Sequence, residues 1–324
     1  MICYDEGYLM MLCTTSTVWV AFALCSVLTK CLPFLHKIAS HGKCNKCIVE
    51  SSSNFSSSTS SRLQALADPL HEKLFISKKL FVHLYVIGTS CALYHLYDSR
   101  AIPYTHIEPG ELDTSYTTII LSLFQSFAQL PNRHLHIVLL LWLFHNLRRL
   151  YESLFLTHYG DSRMHVAGYI AGVVHYITVP ICFREACTSV RHADYNMDNS
   201  TTLLRGGIPY LLFALANYYQ FEAHKILFQM KTEQLTAPDP KVYKLPTRSW
   251  FKIVCVPHYS AEVLIYLSLA MLLPYGSGSW SPGLMVIWVS SNLAVVAHTQ
   301  HQWYQQQYPG EVPHPWYKLF PYIW

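Results

Sequence analysis

Charge is what this sequence has least of. Only 13% of its 324 residues are Asp, Glu, Lys or Arg, about half the share of an ordinary soluble domain. That is too little to cover a 37 kDa globule in water. Intrinsic disorder is excluded over most of the length, because disordered chains are poor in aromatics and this one carries 23 Tyr, 15 Phe and 8 Trp. A net charge of +4 with no dense basic stripe argues against a nucleic-acid partner. Also missing are GxGxxG and GxxxxGK[ST], so neither a Rossmann nor a P-loop nucleotide site is supported. HExxH and GxSxG are absent as well, which sets aside zinc proteolysis and serine hydrolysis. No internal repeat is visible, against transporters built from duplicated halves.

The ten cysteines form no disulfide framework: Cys13, Cys25, Cys91 and Cys182 lie inside apolar runs, where thiols act as small hydrophobes. Cys44-Asn45-Lys46-Cys47, with His36 and His41 upstream, has a metal-like spacing. It stands in a polar loop without a second CxxC, and no metal site is expected there.

What is present is apolar length. A hydrocarbon core about 30 Å thick needs roughly 20 apolar residues per helix, and seven stretches qualify: about 9–29, 80–98, 130–147, 164–183, 206–224, 260–279 and 282–300. Residues 116–130 read as a re-entrant or interfacial helix. The expected fold is an all-α polytopic membrane protein with about seven transmembrane helices. Residues 30–79, 148–163, 225–259 and those after 300 carry 18 of the Lys and Arg, against 5 in the alternate segments. Basic loops stay cytosolic, so the N-terminus is expected in the lumen and the C-terminus in the cytosol. Asp5 and Glu6 precede the first stretch and Lys30 follows it, the pattern of an uncleaved anchor rather than a signal peptide. Ser51–Ser61 reads as a low-complexity insertion. The expected division is an anchor with its Ser-rich cytosolic loop (1–79) and a multi-helix membrane domain (80–324).

Polar side chains at membrane depth are costly and usually line a site. Those inside or ending the apolar runs include His83, His95, His145, Asn146, His175, Asn217, Gln220, Glu222, His224, Glu262, Asn292 and His298. Most adjoin the basic loops, as do Arg148, Arg149, Lys244, Arg248, His258, His301 and Tyr304. A polar cavity rimmed with cations and open to the cytosol suits an anionic ligand such as a nucleotide phosphate; a set of basic loops on anionic lipid would look the same.

Several runs, in order, carry a resemblance: Phe144-His145-Asn146-Leu147-Arg148-Arg149-Leu150-Tyr151-Glu152, Tyr218-Tyr219-Gln220 with His224-Lys225-Ile226-Leu227, and Tyr243-Lys244-Leu245-Pro246 with Trp250-Phe251. Then come Pro257-His258-Tyr259-Ser260-Ala261-Glu262, His301-Gln302-Trp303-Tyr304 and the aromatic end Leu319-Phe320-Pro321-Tyr322-Ile323-Trp324. Over roughly residues 130–324 the chain resembles the steroid 5α-reductase family, in its polyprenol reductase branch. The resemblance implies a seven-helix reductase of the endoplasmic reticulum whose NADPH site opens to the cytosol. It implies that Arg148, Arg149, Asn217, Lys244, His258 and Glu262 bind the cofactor, and that His301 and Tyr304 are catalytic. Where the steroid-reducing branch has the tyrosine that polarises the ketone, this chain has Asn146.

The implied reaction saturates a carbon–carbon double bond with hydride from NADPH, in dolichol synthesis for protein N-glycosylation. Hydride needs an electron-poor carbon and a place for the resulting charge. An α,β-unsaturated aldehyde provides both and an isolated allylic alkene neither, so the expected substrate is polyprenal rather than polyprenol. Expected partners are a long-chain isoprenoid and the membrane, with no obligatory protein partner. A reductase of steroid enones or enoyl thioesters is the alternative within the family. From other classes come an isoprenylcysteine-type methyltransferase using S-adenosylmethionine and a channel or transporter.

Overall fold

The computed structural model describes residues 6–31, 74–100, 133–189, 199–237, 244–273 and 280–324. The Cys44–Cys47 motif, the Ser-rich segment and the 116–130 stretch lie outside them. Among the described residues are seven α-helices: α1 Glu6–Cys31, α2 Phe81–Arg100, α3 Arg133–Phe155, α4 Val166–Ser189, α5 Asn199–Thr236, α6 Pro257–Leu272 and α7 Ser281–Gln307. Each overlaps one of the seven apolar stretches. Three helices are long and apolar enough to cross a membrane, over Lys78–Ser99, Val166–Cys187 and Ser281–Gln307.

The fold is mostly helical, with one short antiparallel ribbon beside the helices. Strand β1 (Phe75–Ser77) pairs with β2 (Arg163–His165), placing Phe75 opposite His165. Backbone bonds extend it, Lys78 N to Ser162 O at 2.9 Å and Val166 N to Leu74 O at 2.8 Å. Strands this short leave no period-2 signal, and the pairing ties together the segments that enter α2 and α4.

Helix ends differ from the apolar boundaries where local chemistry overrides hydropathy. Helix α6 stops at Leu272, not 279, because Leu273 precedes Pro274 and adopts the extended conformation (ψ 146°) that a following proline imposes. Helix α5, with 38 residues, is about 57 Å long and outruns a hydrocarbon core. Helix α3 continues to Phe155, so Arg148, Arg149 and Glu152 sit on helix rather than in a loop. Prolines open α6 and α7, where a missing N–H costs no helical bond.

Helix α5 packs along α6, α2 lies between α3 and α4, and α1 runs along α7. Trp19, Trp142, Phe183 and Tyr266 fill the centre of the bundle. Large apolar side chains such as Leu93, Phe144, Ile170, Leu211 and Ile287 face outward, as lipid-facing residues do. Two glycines let α2 approach its neighbours. A Cβ on Gly172 would lie 2.9 Å from Leu84 Cδ1, and one on Gly88 would meet the Asn146 side-chain oxygen and lie 2.6 Å from Tyr176 Cδ1. Small residues are the usual device for close helix packing in membranes. Gly88→Ala is expected to cost about 1–3 kcal/mol through overpacking, read as earlier thermal unfolding in detergent, whereas Gly168→Ala, whose Cβ would meet no atom within 4 Å, leaves it unchanged.

Candidate active site

Two successive arginines on α3 organise the site. At 100° per residue they diverge around the helix, yet Glu152 lies three residues from one and four from the other, so its carboxylate pairs with both Arg148 and Arg149. The Glu152 side chain is 1% exposed and those of Arg148 and Arg149 are 11% and 19% exposed, which puts the charges inside the protein with a small opening on the arginine side. Burial pulls the Glu152 carboxyl upward, but the His224 hydrogen bond and the Arg149 and Arg148 charges outweigh it and hold the group at about 2.

Helix α5 presents the facing row. Asn217 Oδ1 accepts from Arg148 Nε at 3.1 Å and lies 3.2 Å from His145 Nδ1. Gln220 accepts from Arg148 and donates to Glu262 on α6, and also donates to the His258 carbonyl at 3.2 Å. His224 Nδ1 lies 2.6 Å from Glu152 Oε2 and 2.7 Å from Arg149 Nη1. Residues 217, 220 and 224 follow the 3–4 spacing of one helix face, so a single face of α5 supplies all three. From α2, the Tyr85 hydroxyl accepts from Arg149 Nη2 at 2.7 Å, and the guanidinium sits 5.1 Å from the Tyr85 ring centroid. From α6, Glu262 Oε1 stands 3.6 Å from His145 Nε2, and the His258 ring lies 5.2 Å from His224.

Arg148, Arg149, Asn217, His258 and Glu262 thus meet in one buried network. His301 and Tyr304 belong to a second cluster on α7. Tyr304 packs with Cys255, Val256, Trp316 and Leu319, and the His301 and Tyr304 rings lie 5.6 and 5.4 Å from Trp316. The C-terminal segment closes this cluster by returning onto residues 251–255, with Tyr317 N donating to Ile253 O at 2.9 Å and Trp316 Nε1 to Phe251 O at 2.7 Å. Residues 255–262 join the two clusters. Cys255, Val256 and Tyr259 pack in the second, while His258, whose ring is 4.3 Å from Tyr259, and Glu262 face the first. Lys244 stands apart from both, exposed at 56% and 3.7 Å from Glu233, which Arg248 also approaches at 3.7 Å.

Five residues of the network, Tyr85, His145, Glu152, Gln220 and His224, lie outside the cofactor-binding and catalytic set that the resemblance implies, although His145, Gln220 and His224 are among the polar side chains that the sequence places at membrane depth. Glu152 could have been found from its i+3 and i+4 spacing to the arginine pair. Gln220 and His224 share the face of Asn217. Tyr85 reaches Arg149 from a different helix, and no local pattern marks it.

The donor set suits a phosphorylated dinucleotide. Among the described residues His258 Nδ1 is buried with no hydrogen-bond partner, and its ring lies 5.2 Å from His224, which contacts Arg149. Planar guanidinium forks recognise phosphate bidentately, and buried polar atoms of this kind ordinarily find a partner.

The chain is similar in sequence to known proteins along most of its length. The chain is 28% identical over 293 residues to polyprenal reductase 1 of Oryza sativa subsp. indica, covering 78% of this chain and 80% of that protein. It is 29% identical over 261 residues to the polyprenal reductase of Caenorhabditis elegans, covering 78% and 81%, and 26% identical over 250 residues to that of Danio rerio, covering 76% and 79%. The profile of the 3-oxo-5-alpha-steroid 4-dehydrogenase family matches residues 163–324, the half of the chain that contains α5, α6, α7 and the C-terminal closure. The chain therefore belongs to the 3-oxo-5-alpha-steroid 4-dehydrogenase family, oxidoreductases that act on carbon–carbon double bonds.

Proposed function

We propose that this protein is an NADPH-dependent polyprenal reductase that saturates the α-isoprene double bond of a long-chain prenyl aldehyde and so feeds dolichol synthesis. One observation carries the reading: a connected network of arginines, histidines, amides and carboxylates buried among apolar helices, in a chain similar along most of its length to polyprenal reductases. The bound cofactor supplies hydride at the nicotinamide.

The chain's own residues do the rest. Arg148 and Arg149, held in register by Glu152, hold phosphate. His258 offers its free Nδ1 to the same ligand, Asn217 and Gln220 fix the Arg148 guanidinium, and Gln220 also holds Glu262. Glu262 accepts from the nicotinamide amide. Lys244, on the outer surface, attracts the anionic cofactor. His301 and Tyr304 hold the opposite end of the extended dinucleotide, since they adjoin the network through residues 255–262 and not directly. Seven helices cross the membrane of the endoplasmic reticulum, with the N-terminus lumenal and the C-terminus cytosolic. The basic residues at the end of α3 and in the segment after α5 then lie beside the cofactor in the cytosol, and the prenyl chain enters sideways from lipid.

Purified protein with NADPH is expected to consume polyprenal much faster than polyprenol, a 3-keto-4-ene steroid or an enoyl-CoA. Equal rates on polyprenal and polyprenol overturn the aldehyde as substrate, and preference for the steroid or thioester overturns the prenyl specificity. His301→Ala is expected to raise the KM for NADPH more than it lowers kcat, checked by steady-state kinetics on variant and wild type at equal membrane abundance.

A further inference from the structure

Deeper in the bundle than the arginine network lies a second set of hydrogen bonds with a fixed direction. His175 on α4 is 9% exposed and Tyr266 on α6 is 1% exposed. His175 Nε2 stands 2.6 Å from the Tyr266 hydroxyl, and Trp288 Nε1 on α7 donates to His175 Nδ1 at 3.2 Å. An indole N–H donates and never accepts. His175 Nδ1 must therefore be the acceptor nitrogen, and in the neutral ring the proton sits on Nε2. Nε2–H then donates to the Tyr266 oxygen, and the hydrogen of the Tyr266 hydroxyl is left for another acceptor. Among the described residues no hydrogen bond uses it.

Place matters as much as direction. Tyr266 is one helical turn past Glu262, on the same face of α6. Its ring meets the edge of Trp142 at 5.5 Å, and Trp142 stacks on His145 at 5.5 Å, the histidine that faces Glu262. The hydroxyl thus belongs to the layer just below the one assigned to the nicotinamide. Asn146, in that same layer, has its amide nitrogen bonded to the Trp142 carbonyl at 2.8 Å. Tyr266 is the hydroxyl there whose oxygen is held by a donor, so that its hydrogen is left for another acceptor.

We infer that Tyr266 is the catalytic hydrogen-bond donor to the substrate carbonyl, oriented by His175 and Trp288 as positioning residues. This rests on the polyprenal reading above. When the β-carbon of the enal accepts hydride, the π electron pair of the carbon–carbon double bond moves toward the carbonyl oxygen as an enolate. Tyr266 O–H stabilises that oxygen. Protonation of the α-carbon by water then restores the carbonyl, and the tyrosine keeps its proton over the cycle. A donor already aimed at the developing oxyanion needs no reorganisation at the moment of reaction.

Tyr266→Phe keeps the ring and removes the hydroxyl. It is expected to lower kcat on polyprenal by roughly 100- to 1,000-fold, the effect of losing one oxyanion donor, while NADPH affinity, read by tryptophan-to-nicotinamide energy transfer, stays at the wild-type value. A second readout needs no turnover. In cofactor-free protein, infrared difference spectra of polyprenal labelled with carbon-13 at the aldehyde are expected to show a lowered carbonyl stretch, and the lowering is lost in Tyr266→Phe. His175→Gln, whose amide offers an acceptor and a donor side by side, is expected to retain most activity, and His175→Leu to lose it; equal activity of the two overturns the orienting role. Tyr266→Phe with wild-type kcat, or with an unchanged carbonyl stretch, overturns the inference while leaving polyprenal reduction standing. A wild-type protein that leaves polyprenal untouched overturns the function reading, and this inference with it.

Discussion

Glu152→Ala is expected to lose about 3–5 kcal/mol of stability, the cost of breaking a buried ion pair by removing one partner. The carboxylate is 1% exposed and serves Arg148, Arg149 and His224 together, so its loss leaves two guanidiniums facing each other with little water to screen them. Binding of NADPH should weaken in parallel, because the arginines are then no longer held in one register. Unfolding monitored in detergent, with cofactor affinity measured on the same preparations, tests both effects. Glu152→Gln keeps the shape and isolates the charge. The folded-state carboxyl lies at about 2, below its ordinary value of 4.5. Its contribution is therefore complete above about pH 4.5 and fades as pH falls from there through 2. Wild-type stability should show that acid-side loss and Glu152→Gln should lack it. A glutamine variant as stable as the wild type, with the same pH profile, would remove Glu152 from the centre of the site.

Glu262→Ala is expected to reduce kcat/KM by about 10- to 100-fold, in line with hydrogen bonds to a charged group worth 1.5–3 kcal/mol. Gln220 donates to this carboxylate and His145 Nε2 faces it at 3.6 Å, so the substitution also leaves the Gln220 amide with the His258 carbonyl alone and removes the charge facing the His145 ring. Lys244→Ala provides the contrast. Its partner Glu233 is 3.7 Å away and both side chains are about half exposed, and surface pairs of that kind contribute at most about 1 kcal/mol. Steady-state kinetics on the two variants should separate them by an order of magnitude. Similar losses in both would mean that Glu262 has no special place at the cofactor.

How far the site was legible in the sequence varies residue by residue. Arg148 and Arg149 stand out because two adjacent cations at the end of an apolar run are rare, and Glu152 is within reach of both by helical spacing alone. Asn217, Gln220 and His224 fall on one stripe of a helix that the apolar pattern already outlines. Tyr85 and Tyr266 are invisible by the same reasoning. Each is an aromatic in an apolar stretch, where filling the core is the ordinary reason for its presence. His301 and Tyr304 stand out by their motif alone, yet they pack with Trp316 and Cys255, one step away from the arginines.

The sequence by itself outlined the apolar stretches that the seven helices among the described residues overlap, the basic segments between them and the family to which the chain belongs. All of these are properties of composition and order along the chain. The tertiary structure alone decided which polar groups share a ligand: that a single carboxylate serves both arginines and His224, that residues 255–262 join two clusters, and that Trp288 sets the proton of His175 and thereby the direction of the Tyr266 hydroxyl. These hydrogen bonds join residues 72 to 113 positions apart in sequence, and their direction depends on which neighbour can only donate. Periodicity along one helix carries no information about either.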